Sequence, residues 1–329
     1  MEKPLYLVTG AAGFVGSYVV RELVARGAAV RALARKPEQL AALAQPGVEP
    51  AQGDIRDLDA LRRAMTGVQG VFHIAALFRQ ADQPDAVYYD VNVTGVRNVM
   101  DVAIAAGVPR VIHCSTVGVL GHIEHPPANE RTPFNPGDIY QRSKMEGEKV
   151  ALEYFRSGRI GGVVIRPAMI YGPGDTRLRK MFRLIARRRF FYVGRGQNLV
   201  HFIDVRDLAR AFRLAMEHTE LNAEVFIIAG ARALPLRDVC DLIARELGVP
   251  SPRLKLPVRP IQWLGTLCER ICLPLKINPP LYRRRVDFYT KDRCFDTRKA
   301  REKLGFLPER TLEEEVHDIL HDYRERGWL

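Results

Sequence analysis

Along the first half of the chain, short apolar runs alternate with stretches whose apolar residues recur at helical spacing. LYLVTG, AAVRALAR, VEPAQGD, GVFHIAA, RVIHCST and GGVVIRP read as strands, each bounded by glycine, proline or polar residues. Between them, FVGSYVVRELVARG carries apolar positions three and four apart and stops at a glycine, and residues 57–65, 86–106 and 140–155 keep the same period. The alternation predicts an α/β fold of Rossmann type, a doubly wound parallel sheet covered by helices on both faces. Ligands of such a sheet sit at the carboxyl ends of its strands.

Beyond Pro167 the pattern loosens. Helices are expected over 176–189, 205–218, 235–248 and 311–326, with strands near NLVHFIDV and at EVFIIAG. This division gives a cofactor-binding domain over residues 1–171, rejoined near 199–230, and a smaller C-terminal substrate lobe over 172–198 and 231–329. A proline-rich insert, VPSPRLKLPVRPIQWLGTLCERICLPLKINPP, interrupts the lobe. Wound as a helix, it puts Ile261, Leu264, Leu267, Cys268 and Ile271 on one side, Gln262 and Glu269 opposite, and Trp263 at the edge. That stripe could pack in the core, line an apolar pocket or rest on a membrane.

Composition narrows the class. With 47% hydrophobic and 27% charged residues over 329 positions, the chain is that of a soluble globular protein with ample core. No apolar run approaches the length needed to cross a bilayer, and the amino terminus enters a strand without a signal-peptide pattern, so the expected location is the cytoplasm. The five cysteines lack metal-type spacing and are expected as thiols, and His122, Glu124 and His125 in a loop-like context do not make a metal site. A formal charge of +12 points to an anionic ligand, a membrane surface or a nucleic acid, and does not choose among them. The basic run from Arg177 to Arg195 could hold a carboxylate, a phosphate or anionic lipid, or be a solvated face; a nucleic-acid partner is not expected, since the run lacks a groove-reading or aromatic-interleaved pattern.

The candidate chemistry begins at TGAAGFVG, directly after the first strand. Gly10 allows the sharp turn, Gly13 lets backbone approach a pyrophosphate, and Gly16 permits close helix packing; Phe14 and Val15 open the helix whose amino terminus meets the phosphate. The second strand ends in Ala34, Arg35 and Lys36 with no acid, which favours NADP(H) over NAD(H), because a carboxylate there would accept ribose hydroxyls whereas arginine suits a 2′-phosphate. Asp54 could bond the adenine amino group and Ile55 pack on the ring. In DIYQRSKMEGEK, Tyr140 and Lys144 lie four apart and share a helix face. Lowering a phenol from about 10 to about 7 takes roughly 4 kcal/mol. One cation at ~4 Å in a medium of effective dielectric about 20 supplies that much.

Taken in order, TGAAGFVG, GDIRD, HIAA, VNVTGVRN, CSTVGVLG, YQRSK and RPAMIYGPGD resemble the extended short-chain dehydrogenase/reductases, the NAD-dependent epimerase/dehydratase group, over essentially the whole chain. The resemblance implies that Tyr140 is the catalytic acid/base, that Lys144 bonds the nicotinamide ribose and acidifies the phenol, and that Thr116 is the catalytic hydroxyl, with Ser115 the weaker candidate. It also implies that Ala75 and Ala76 pass under the cofactor, that Asn92 braces the active-site strand, and that Pro167 turns beside the nicotinamide amide. Val200 stands where nucleotide-sugar epimerases usually carry an arginine, and the tail FYTKDRCFDTRKAREKLGF is similar to that of the 3β-hydroxysteroid dehydrogenase-like branch. The implied enzyme interconverts a secondary alcohol and a ketone on an apolar substrate, of 3β-hydroxysteroid, sterol or β-hydroxyacyl type, with a homodimer implied only by analogy. A nucleotide-sugar 4-epimerase or dehydratase and a non-catalytic cofactor-binding protein on the same fold are the alternatives.

Overall fold

The computed structural model describes residues 3–78, 83–272 and 289–329. The last part of the proline-rich insert, residues 273–280, and the following residues 281–288 lie outside the described residues. The first half runs β1 Leu5–Thr9, α1 Phe14–Ala25, β2 Ala29–Ala34, α2 Pro37–Leu43, β3 Val48–Gln52, α3 Leu58–Met65, β4 Gly70–His73, α4 Asp85–Tyr89, α5 Gly95–Ala105, β5 Arg110–Cys114, α6 Ile139–Arg156 and β6 Gly161–Pro167. The second half adds β7 Met169–Tyr171, α7 Arg179–Ala186, β8 Tyr192–Val193, β9 Leu199–Val200, β10 Phe202–Asp204, α8 Val205–Glu217, β11 Glu224–Ile228, β12 Leu234–Pro235, α9 Leu236–Glu246, β13 Lys255–Leu256, α10 Val258–Cys272, α11 Arg298–Leu304 and α12 Leu312–Glu325.

Seven parallel strands form one sheet in the order β11-β6-β5-β4-β1-β2-β3. β4, GVFH, and β5, RVIHC, are buried along their whole length, as strands covered on both faces must be, so that even His73, Arg110 and His113 lie out of solvent. One apolar cluster, with Val19, Leu23, Phe212 and Phe226, covers one face of the sheet, and a second, with Leu61, Val99, Met100 and Phe155, covers the other. A third gathers Tyr171, Phe182, Tyr192, Ile243, Ile319 and Tyr323 from the second half of the chain. The chain order reverses between β1 and β4, so the crevice between their carboxyl ends is the natural ligand position.

Two expected helices differ from the observed ones. The single helix over 86–106 is interrupted by a π-helical turn, Asp90–Thr94, between α4 and α5. The extra residue turns Asn92 inward, where its amide accepts from Leu77 N–H at 2.8 Å and donates to Leu77 C=O and to Ser143 Oγ at 3.1 and 2.9 Å. The helix over 176–189 shortens to Arg179–Ala186. Upstream, Arg177 is held by Asp175 and the Ile170 carbonyl; downstream, Arg188 turns to φ 57°.

Candidate active site

Where β1 meets β4, the loop is closed by contact with backbone. A Cβ on Gly10, whose φ is +69°, would stand 2.8 Å from the Ala75 N and Cα atoms, so only glycine lets the loop lie on HIAA. This brings Ala75, and the exposed Ala76 after it, to the glycine turn. Helix α1 then starts at Gly13 with no side-chain cap and no acid in its first turn. By contrast α3, α6, α8 and α12 are capped by Asp57, Asp138, Asp204 and Thr311. The first-turn N–H groups of α1, those of Phe14 and Val15 among them, are left for an external anion, and the uncapped dipole favours one. A dinucleotide pyrophosphate fits this end of the helix.

At the neighbouring strand ends, Ala34 is buried and Arg35 and Lys36 are exposed. The Arg35 guanidinium lies 4.0 Å from Asp54, while Arg56 grips the same carboxylate at 2.8 and 3.0 Å. Hydrogen bonds from Arg56 hold the Asp54 carboxyl below its ordinary range, with Arg35 adding to the effect. Ile55 is placed differently from the sequence expectation. Its side chain is 5% exposed and packs into the core where α5 begins, its Cδ1 crowding Gly95, so it offers a base little apolar surface.

Tyr140 and Lys144 both lie on the buried face of α6. The helix comes close at Gly147, where a Cβ would stand 2.1 Å from the Asn92 carbonyl. Lys144 is 2% exposed and donates to the Cys114 carbonyl at 2.6 Å, which fixes its ammonium at the end of β5. That bond uses one of three donors, and among the described residues no other hydrogen bond takes the remaining two. Burial pushes the Lys144 ammonium below the usual lysine range, with the Glu148 charge opposing.

The two candidate hydroxyls separate cleanly. Ser115 is buried and donates to Glu148 at 2.5 Å, so its hydrogen is committed. Thr116 caps the short 3₁₀ turn Val117–Leu120 by accepting from Gly118 N–H at 3.0 Å, which leaves its own O–H able to donate. Gly118 also stands beside Gln141 of α6, so the Thr116 turn adjoins the helix that carries Tyr140. Pro167 closes β6, the next strand over, and is buried.

Behind this site two imidazoles lie side by side in register on β4 and β5, their planes tilted by 37°. His73 and His113 are buried with ring centroids 5.3 Å apart. Thr9 Oγ1 receives the Ile74 and Ala75 N–H groups at 3.1 and 3.2 Å, so its hydrogen goes to His73 Nδ1 at 2.8 Å, which assigns His73 the Nε2–H tautomer. Burial lowers His73 to about 3 and His113 well below its ordinary value, the Lys144 charge adding to both. Both rings are therefore neutral beside the lysine.

Three features escaped sequence reasoning. Phe78, just past HIAA, meets the Tyr140 ring edge-on at 4.9 Å; an aromatic residue two places beyond Ala76 was the available signal. Glu148 is 0% and Arg166 3% exposed, and they pair through Arg166 Nε at 3.0 and 3.1 Å. Ser143 joins Asn92 to the Tyr140 carbonyl at 3.0 Å. The basic run proves mixed in function: Arg177 is bound by Asp175, and Arg179 stacks on Trp328.

The family model for the NAD dependent epimerase/dehydratase family matches residues 6–229. The chain is 33% identical to "Sterol demethylase protein B" of Methylococcus capsulatus, over 98% of this chain and 99% of that protein. It is 28% identical to the 3 beta-hydroxysteroid dehydrogenase/Delta 5-->4-isomerase of Mycobacterium tuberculosis, over 96% of this chain and 90% of that one. Among solved structures, dTDP-glucose 4,6-dehydratase from Streptomyces venezuelae, with NAD and TYD bound, matches with a TM-score of 0.76 and 26% identity over 98% of each chain. The seven-stranded parallel sheet, the uncapped glycine turn and these likenesses agree: the chain is an oxidoreductase of the NAD-dependent epimerase/dehydratase family, in the extended short-chain dehydrogenase/reductase group.

Proposed function

We propose that the protein interconverts a secondary alcohol and a ketone on an apolar, sterol-like or β-hydroxyacyl substrate, with NADP(H) preferred over NAD(H). A bound nicotinamide supplies or accepts the hydride. Tyr140 takes the proton of the substrate hydroxyl in oxidation and returns it in reduction. Thr116 donates its free O–H to the same substrate oxygen, and Lys144, fixed on the Cys114 carbonyl, biases the phenol toward its anion while its remaining donors hold the ribose. Gly10, Gly13, Gly16, Phe14 and Val15 receive the pyrophosphate, Ala75, Ala76 and Pro167 border the nicotinamide half, and Asp54 borders the adenosine. Arg35, exposed and only loosely paired, is the residue for a 2′-phosphate. We also propose that residues 1–171 with 199–230 act as the cofactor unit and the rest as the substrate lobe.

The observation that most supports this reading is the buried Lys144 ammonium anchored beside Tyr140 with two donors unspent. An apolar substrate is favoured by Val200, 1% exposed on β9, where a nucleotide-sugar enzyme needs a cation, and by the likeness to proteins named for sterol and hydroxysteroid chemistry. The family model and the dTDP-glucose dehydratase likeness favour the second reading, a nucleotide-sugar 4-epimerase or dehydratase.

Nicotinamide absorbance, followed with both cofactors against hydroxysteroids, β-hydroxyacyl compounds and nucleotide sugars, tests the assignment. Turnover is expected with an apolar alcohol and NADP⁺. Tyr140→Phe should cut it by about 10²–10⁴-fold while leaving cofactor binding nearly unchanged. Turnover of nucleotide sugars alone would select the second reading, and full activity in Tyr140→Phe would remove the phenol from the mechanism.

A further inference from the structure

Helix α10 buries a single residue, Gly265. On the side away from Gly265, Trp263, Leu264, Leu267 and Ile271 are 66%, 46%, 39% and 54% exposed. At 3.6 residues per turn these four fall within about 100° of the helix circumference. Arg259 and Arg270, both exposed, flank one edge of that arc. The structure thus divides the apolar stripe of the sequence: Ile261 and Cys268 are half-buried, and Trp263 belongs to the outward arc instead of its edge.

The ground beside α10 is basic. β13 leads directly into the helix and pairs with β8, tied by Tyr192 N–H to the Leu254 carbonyl at 2.9 Å and Gly194 N–H to the Leu256 carbonyl at 2.8 Å. Arg187, Arg188 and Arg189 are exposed just before β8, and Arg253, Lys255 and Arg259 are exposed around β13. Residues 187–195 and 253–260 contain no acid, and none of these six cations pairs with a carboxylate among the described residues. Phe191 and Leu254, 37% and 59% exposed, lie between the two basic trios.

From this juxtaposition we infer that α10 and the β8–β13 ladder form a docking face for an anionic lipid surface, the apolar arc entering the acyl boundary and the arginines and lysine meeting the headgroups. Charge complementarity selects this occupant. A second copy of the chain on the same face would set each unpaired basic cluster near its own image. A nucleic acid would answer the cations and leave the apolar arc in water. Amphipathic helices that lie in a bilayer interface combine these features, an apolar face bearing Trp and Leu beside basic residues. No helix among the described residues is long and apolar enough to cross a membrane, so the contact is peripheral. The inference stands apart from the reaction assigned above, because it rests on this surface alone.

The test is flotation of the full chain with vesicles of phosphatidylcholine, with and without phosphatidylglycerol, together with Trp263 emission in a Trp328→Phe background. Binding is expected only with the anionic lipid, with a blue-shifted emission and loss of binding at high salt. Each cation near an anionic surface changes partitioning about fivefold, so the triple variant Arg187→Gln/Arg188→Gln/Arg189→Gln should bind about 100-fold more weakly. Leu267→Gln/Ile271→Gln should bind at least about tenfold more weakly and lose the blue shift. Equal binding to both vesicle types, or unchanged binding by both variants, would overturn the inference. So would sedimentation velocity showing a dimer that the same variants dissociate, which would give the face to a second copy.

Discussion

Helices α6 and α10 break the ordinary inside–outside rule in opposite directions. α6 buries charge, with Lys144 at 2% and Glu148 at 0% exposure, whereas α10 exposes Trp263, Leu264, Leu267 and Ile271. In α6 nearly every buried polar atom is answered: Glu148 by Arg166 and Ser115, and Lys144 by one carbonyl. The Lys144 ammonium is held at the Cys114 carbonyl, at the carboxyl end of β5, and under the proposed function its remaining donors serve a bound cofactor. In α10 nothing within the described chain answers the apolar arc. Departures from the rule therefore mark function when the missing partner is external, and mark architecture when it is internal.

The largest effect on stability should come from breaking the internal pair of α6. Arg166→Leu leaves Glu148 buried without a cation and should cost about 3–5 kcal/mol in denaturant unfolding. Arg166→Leu/Glu148→Gln should recover most of that loss; a double variant no more stable than the single would mean that the pair itself, not the orphaned charge, carries the energy.

A third buried ionisable group sharpens the contrast because it is answered only in part. Glu315 of α12 is 6% exposed and accepts from the Tyr171 hydroxyl. Burial raises its carboxyl to about 8, with Asp204 and Asp207 pushing the same way and Tyr171 and Arg206 opposing. The folded form thus holds a proton that the unfolded chain has released, so this group's contribution to stability falls as pH rises from the ordinary carboxylate range through about 8. The loss should be on the order of 5 kcal/mol at most. Thermal midpoints measured across this range should fall for the native protein and flatten for Glu315→Gln; identical slopes would contradict the assignment.

The smallest effect belongs to α10. Leu267→Gln/Ile271→Gln removes apolar surface that the fold does not use, so unfolding free energy should change by no more than about 0.5 kcal/mol per site. A loss of several kcal/mol would show that the arc is core in solution.

Much of the fold was legible because a sheet covered on both faces writes short, predominantly apolar runs, and because Asp57, Asp138 and Thr311 stand at helix starts. The glycine turn and the Tyr140–Lys144 pair were legible for the same local reason, since residues four apart share a helix face. What failed to show depended on distant neighbours. The π-helical turn at Asn92 meets Leu77 and Ser143, and although the family motif already preferred Thr116 to Ser115, the physical reason, the Ser115 bond to Glu148, lies 33 residues away along the chain. Ile55 looked available to a ligand because the sequence does not reveal Gly95 beneath it. The outward turn of α10 was equally hidden, because periodicity gives a helix its faces but not the direction in which they point.

The pH dependence of kcat/KM for alcohol oxidation, measured at saturating cofactor in the native enzyme and in Lys144→Met, tests most directly whether the buried ammonium primes the phenol. A cation at ~4 Å in a medium of effective dielectric about 20 is worth ~4 kcal/mol, so the ascending limb should move up by about 2–3 pH units when the lysine is removed. An ascending limb that stays in place, with activity lowered uniformly at every pH, would contradict the account.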